Sequence, residues 1–316
     1  MAHLSRILVA VDFSNPSRRA FDYALALATR HAAGLVVIQA VPSDEPFNLG
    51  GSERPALKAT LRQSADEASV GFEYRVQHGD AAEIILLHAH VVRPDVIVVG
   101  SHQRRGPGRW HFGSVSERVV AKATVPVLVV PAGLRLAAAG AFRHVAVAVD
   151  LTTVSDAAVE RALDLASEGA DRVTLLHAVP GFSSGVPRNL YRFGIADYQS
   201  QLVRDARRAL QLAVPATRPS TPAIHTRVLR GDTTTELSRV ARTIGADLLV
   251  VGVPRRGKVA NALFGTTAAR LLKVTEIPVL AVPAASRRSG REQDVPRRRL
   301  AASQPESFEV GTATVS

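Results

Sequence analysis

The sequence contains one pattern twice. Arg6-Ile-Leu-Val-Ala-Val-Asp12 is matched by His144-Val-Ala-Val-Ala-Val-Asp150, 138 positions further on, and Val41-Pro and Val179-Pro keep that spacing. Asp95-Val-Ile-Val-Val-Gly100 is matched by Asp247-Leu-Leu-Val-Val-Gly252 at an offset of 152, shared by Gly79 and Gly231, Asp80 and Asp232, Gly113 and Gly265, and Pro126 and Pro278. The second copy therefore holds 14 more residues between Val179 and Gly231. The segment 181–200, rich in aromatic residues (Phe182, Tyr191, Phe193, Tyr198), is the expected insertion, and its place after a strand suggests a flap over the second copy's ligand end. Two copies of this length mean two homologous domains rather than a solenoid. A chain of 316 residues has room for them at roughly 100–200 residues per domain.

Each copy alternates short continuous Val/Ile/Leu runs with stretches whose apolar residues recur every three to four positions, such as Ala20, Ala24, Leu27 and Ala28. Strands without polar alternation are buried on both faces, which requires a parallel sheet between helix layers. The pattern predicts a doubly wound α/β fold with two five-stranded parallel sheets. Strands are expected at 6–12, 34–41, 72–78, 95–100 and 127–131, and at 144–150, 172–179, 224–230, 247–252 and 279–283. The expected order in each copy is 3-2-1-4-5. The domains are expected at 1–138 and 139–285, with a linker at 133–140, followed by a disordered basic tail at 286–316. The fifth strands, 127–131 and 279–283, are apolar edges that need cover.

Composition narrows the function. No cysteine is present, which removes disulfides, thiolate metal sites and cysteine nucleophiles. The net charge of +11 raises the question of anionic partners. Only Lys58, Lys122, Lys258 and Lys273 are lysines, so the basic residues are nearly all arginine. Aromatic residues are 5% of the chain, thin for stacking on single-stranded nucleic acid, and nucleic acid is not the expected partner. No apolar run approaches the ~20 residues of a membrane span, and the N-terminal run that Asp12 ends is too short for a signal core, so a cytoplasmic location without membrane contact is expected.

In open parallel sheets, ligands bind beyond the carboxyl ends of the strands. Asp12 and Asp150 end the first strand of each copy; Gly100 and Gly252 end the fourth. The loop after Gly100 carries Arg104, Arg105 and Arg109 and closes at Gly113-Ser114, where Ser114-Val-Ser-Glu117 reads as a capping box that starts a helix. Gly265-Thr266 marks the same start in the second copy. Backbone N–H groups there suit a phosphate. A structural reading stands beside this one. Gly100 can serve a tight turn, Ser114 and Thr266 can be ordinary caps, and Asn15-Pro16 can be cap and first position of a helix that Asp12 precedes.

With these motifs in place, the chain resembles a tandem universal stress protein over residues 3–285. The resemblance rests on the Val-Asp ending of strand one, the Gly/Ser helix start, and the endings Pro126-Val-Leu-Val-Val-Pro131 and Pro278-Val-Leu-Ala-Val-Pro283. It implies a fold similar to the adenine nucleotide alpha-hydrolases and ATP as ligand, without dedicated catalysis. The family's ATP-binding pattern, Gly-x2-Gly-x9-Gly-[Ser/Thr], is met by Gly100, Gly113 and Ser114, and by Gly252, Gly265 and Thr266. By the same resemblance Asp12 and Asp150 face ribose or adenine, and the backbone at Val41 and Val179 faces adenine. The fifth strands then pair to make an intrachain pseudo-dimer, and a homodimer is compatible with it. The second glycine of the pattern is replaced by Gln103 and Arg255, so a degenerate member that acts as a protein-interaction scaffold is the alternative. The first copy, with Gly106 and Gly108 in its loop, is the expected nucleotide site; Pro254 and Arg255 disfavour the second.

Enzyme signatures are missing. No Gly-x-Gly-x-x-Gly follows strand one, Gly257-Lys258-Val259 lacks the P-loop spacing, and there is no Gly-x-Ser-x-Gly elbow. No paired histidines flank a glutamate, so no zinc-protease or other metal site is readable. Slow ATP hydrolysis stays open, with no residue that argues for it.

Overall fold

A computed structural model of the protein describes residues 4–43, 53–101, 113–134, 142–167, 169–181, 195–214, 222–254 and 266–284. The expected linker beyond residue 134, most of the inserted segment, both loops that follow the fourth strands, and the C-terminal tail lie outside the described residues. The ten strands fall within two residues of the expected positions. The first copy holds β1 (Arg6–Val11), β2 (Gly34–Val41), β3 (Phe72–His78), β4 (Val96–Ser101) and β5 (Val127–Pro131). The second holds β6 (His144–Ala148), β7 (Arg172–Val179), β8 (Ala223–Arg230), β9 (Leu248–Val253) and β10 (Val279–Pro283). The helices of the first copy are α1 (Asn15–His31), α2 (Glu53–Glu67), α3 (Ala81–Val92) and α4 (Ser114–Lys122). Those of the second are α5 (Thr153–Ala166), α6 (Ile195–Leu212), α7 (Thr233–Thr243) and α8 (Thr266–Val274).

Each copy keeps the order 3-2-1-4-5 with parallel pairing. The two sheets are nevertheless not separate. β10 pairs antiparallel with β5, Leu280 opposite Leu128, and the result is one ten-stranded sheet, β3-β2-β1-β4-β5-β10-β9-β6-β7-β8. The physical reason is the one that makes the fifth strands a liability: each presents an unpaired apolar edge, and the other copy supplies the matching one.

One face of this sheet packs against α1, α2, α5 and α6, and the other against α3, α4, α7 and α8. Both apolar clusters run through both copies. On the first face Tyr23 of α1 lies 6.2 Å from the ring of Phe142, the residue that leads into the second copy. Arg161 of α5 reaches back to donate to the carbonyl of Asp95 at 3.4 Å. Residues 1–285 thus form one compact unit.

Strand starts are fastened by a pair of aspartates. The Asp95 carboxylate accepts from the N–H groups of Ser5 and Arg6 at 2.7 and 2.9 Å, and from the Ser5 hydroxyl at 2.9 Å. Asp247 accepts from the N–H of Arg143 at 2.7 Å and of His144 at 3.3 Å. Both satisfy donors at the open end of the first strand of a copy.

Candidate functional site

At the carboxyl ends of β1, β2 and β4 the first copy has a cavity of about 240 Å³. Asp12, Ile38, Ala40, Gly100, Gly113 and Ser114 are among its walls, with Ser17 and Ser116 beside them. The geometry brings together four of the residues expected around a ligand (Asp12, Gly100, Gly113 and Ser114). Val41 is not among the lining residues. It is buried, and its carbonyl accepts from the Gly79 N–H at 2.8 Å; Ala40 and Ile38 face the cavity instead. Val179 repeats this, its carbonyl accepting from Gly231 at 3.1 Å.

The aspartates that end the first strands organise the turn into the next helix. Asp12 accepts from the N–H and hydroxyl of Ser14 at 3.0 and 2.6 Å. Ser14, not Asn15, is the N-cap of α1, since its hydroxyl oxygen accepts from the Ser17 N–H; Asn15 and Pro16 are already in the first turn. Asp150 accepts from the N–H and hydroxyl of Thr152 at 3.0 and 2.6 Å and also from the Ser155 hydroxyl. Burial pushes the Asp150 carboxyl up, but the hydrogen bonds from Ser155 and Thr152 outweigh it, and the group is held below the usual carboxylate range. In both copies the next residue, Phe13 or Leu151, is forced to a left-handed conformation, with φ of 60° and 62°.

Gly100 does not serve a turn. It sits in extended β4, and an ideal Cβ on it would lie 2.5 Å from the Pro16 carbonyl oxygen. Gly252 has the same role, its Cβ falling 2.6 Å from the Val154 carbonyl oxygen. Glycine lets the first turn of α1 or α5 lie directly on the fourth strand. The expected capping box is likewise corrected. The N-cap of α4 is Gly113, without a side-chain cap, and Ser114 is the first helical residue. The pattern S-x-x-E is satisfied in sequence but shifted by one position in space. The side chain that matters here was not singled out by sequence reasoning: the Ser116 hydroxyl donates to the Gly100 carbonyl at 2.8 Å and ties α4 to the end of β4.

In the second copy Asp150 and Gly252 occupy the equivalent places, and Thr266 begins α8 as Ser114 begins α4. Gly265 lies outside the described residues, as do Gln103, Arg255, the loop arginines 104, 105 and 109, and most of the segment expected to form a flap. Among the described residues, no cluster of three or more histidine, aspartate or glutamate side chains is placed to hold a metal. No described helix is long and apolar enough to cross a membrane.

Two doubly wound α/β units fused edge to edge, with a cavity at the carboxyl ends of the first unit's strands, define a tandem protein of the open-sheet α/β class. The sequence model of the universal stress protein family matches residues 3–131 and again 141–283, and the chain belongs to that family. Stress response protein NhaX of Bacillus subtilis is 27% identical, aligning 41% of this chain with 99% of its own length. A universal stress protein of Thermus aquaticus is 35% identical, over 39% of this chain and 96% of its own. Each is the size of one copy. A crystal structure of a universal stress protein from Archaeoglobus fulgidus shares the whole tandem fold, with a TM-score of 0.65 over 89% of this chain and 98% of that one at 18% identity.

Proposed function

We propose that this universal stress protein binds an adenine nucleotide in its first copy, and that it acts in the cytoplasm as a binding and signalling module in the stress response rather than through turnover. The observation that carries the reading is the cavity bounded by Asp12, Ala40, Gly100, Gly113 and Ser114, at the end of the sheet where this class of fold receives ligands. The start of α4 at Ser114 directs backbone N–H groups to the same place, which favours phosphate there. Two further observations support the alternative of a scaffold without nucleotide. Asp12 is engaged by Ser14, and the Val41 carbonyl by Gly79, so neither group is held in reserve for a ligand. The experiment that separates the two readings is chromatography of the nucleotide released by denaturing freshly purified protein, followed by calorimetric titration of the stripped full chain with ATP. Released nucleotide, or saturable binding of one ATP per chain, supports the first reading; neither supports the second.

A further inference from the structure

The two copies differ at the ends of the second copy's strands that face away from Asp150. There the amino-terminal parts of β6, β7 and β8 and the end of α7 enclose a cavity of about 670 Å³, lined by His144, Arg172, Thr174, His225, Arg227 and Thr243 among others. A second cavity of about 400 Å³ continues it along β8, sharing Thr226, Arg227 and Thr243 and adding Arg207 and Arg239. Arg239 is paired with Glu236 at 2.6 Å. Among the described residues, no carboxylate pairs with Arg172, Arg207 or Arg227. The wall of the larger cavity is fixed by His144. Its Nδ1 lies 3.0 Å from the Ile244 carbonyl, which can only accept, so Nδ1 is the donor and Nε2 takes the Thr174 hydroxyl at 2.8 Å. Burial holds this imidazole below its usual range, and the charges of Arg172, His225 and Arg227 add to the effect.

The first copy is an internal control. Strand register and repeat spacing match Arg172 with Gly34, Thr174 with Val36, His225 with Glu73, Thr226 with Tyr74, Arg227 with Arg75 and Thr243 with Val91. In the first copy Arg75 is neutralised by Glu73 at 2.6 Å. Tyr74 occupies the edge, its hydroxyl 2.5 Å from Gln39 and its ring 5.0 Å below the Lys58 ammonium. On the face that α7 closes, the second copy has replaced the acid by His225, a glycine by Arg172, and two valines by Thr174 and Thr243, while Tyr74 and Thr226 lie on the other face. Protection of an edge strand by charge does not account for this, because β3 is also an edge and is protected with its charge balanced.

We infer that the second copy carries an anion site for a small molecule with two or more phosphate groups, built from the guanidinium groups of Arg172 and Arg227 with the His225 imidazole beside them. Guanidinium forks match the oxygens of a phosphate in pairs, and two of them in one cavity suit a ligand with more than one such group. The volume lies within the roughly 300–1,000 Å³ of small-molecule sites. The site is in the other copy from the cavity proposed for adenine nucleotide, and at the opposite ends of that copy's own strands from Asp150, so it does not depend on that reading.

Calorimetric titration of the full chain with inorganic pyrophosphate tests the site. The wild type should bind, and Arg172→Gly combined with His225→Glu, which restores the residues of the first copy, should weaken binding at least tenfold. Arg227→Gln, a change at an exposed side chain, should do the same if the double variant does not fold. ATP carries such phosphates and can enter this site as well, so the two sites are read apart by variants: Ala40→Phe should remove ATP binding at the first copy and leave pyrophosphate binding intact, and Arg227→Gln should do the reverse. No binding by the wild type, or equal binding by folded Arg227→Gln, overturns the inference. A short single-stranded oligonucleotide that binds through these side chains more tightly than pyrophosphate would overturn the assignment to a small ligand.

Discussion

Gly100 lies against Pro16 so closely that a Cβ placed on it would come within 2.5 Å of the Pro16 carbonyl oxygen, and Gly252 stands in the same relation to Val154. The neighbour in each case is backbone at the start of a helix, which cannot move aside without shifting α1 or α5. A glycine that opens the family's nucleotide pattern is therefore also a packing requirement. Gly100→Ala is expected to destabilise the protein by about 1–3 kcal/mol, the usual range for overpacking. Gly252→Ala should cost a similar amount. Urea unfolding of each variant checks this, and an unchanged midpoint in both would show that the helix start yields freely.

Asp95 and Asp247 occupy equivalent positions and titrate in opposite directions. At Asp95 burial pushes the carboxyl up, but hydrogen bonds from Arg6 and Ser5, with the charge of Arg161, bring it below the usual range. At Asp247 burial dominates over the bonds from Arg143 and His144 and holds the carboxyl above it. A carboxyl with a lowered folded-state pKa adds stability above its unfolded value of about 3.9, and loses it as pH falls through the folded value. One with a raised pKa adds stability below that unfolded value and loses it as pH rises through the folded value. The stability gap between wild type and Asp95→Asn should therefore widen as pH rises from about 3 to 7, and the gap for Asp247→Asn should narrow. Denaturant midpoints at a series of pH values decide it; parallel slopes for the two variants would contradict the difference.

How far the sequence could be read follows from what each signal encodes. Eight of the ten strands are legible because each is largely buried on both faces, so its run is mostly apolar; the edge strands β3 and β8 alternate exposed polar residues, and for them the repeat supplies a second reading. The pairing of β5 with β10 follows from two apolar edges in one chain. The two expected five-stranded sheets join into one for the same reason, since edges that pair make one sheet. Local caps are less legible. Ser14 and Asn15 are both good cap residues, and only the hydrogen bond to the Ser17 N–H chooses between them. S-x-x-E fits Ser114 as cap or as first helical residue equally well on paper. The tie between Ser116 and Gly100 depends on how α4 lies on β4, which no local spacing encodes. The cations at β8 are individually ordinary surface residues, and only strand order places Arg172, His225 and Arg227 beside one another.

The shared apolar clusters have a thermodynamic consequence. Leu128 and Leu280 face each other across the β5–β10 junction, both almost fully buried, within a cluster drawn from both copies. The two copies should unfold together in one cooperative transition, with van't Hoff and calorimetric enthalpies in agreement. Leu280→Ala should lower that single transition by the equivalent of about 2–5 kcal/mol. Differential scanning calorimetry that resolves two transitions, only one of them moved by Leu280→Ala, would show that the junction does not couple the copies.

The proposed nucleotide site can be tested from its floor. Ala40 lines the first cavity from β2, and Ala178 is its equivalent on β7, one repeat spacing away. A phenyl ring at position 40 would occupy much of a space of about 240 Å³ while leaving the sheet and both helix layers in place. Ala40→Phe is expected to weaken ATP binding at least tenfold with little change in melting temperature, because Ala40 is only half-buried. Ala178→Phe should bind ATP as the wild type does. Titration calorimetry on both full-length variants reads the outcome. Equal binding by folded Ala40→Phe would remove the first cavity as the site, and selective loss in Ala178→Phe would move the site to the second copy.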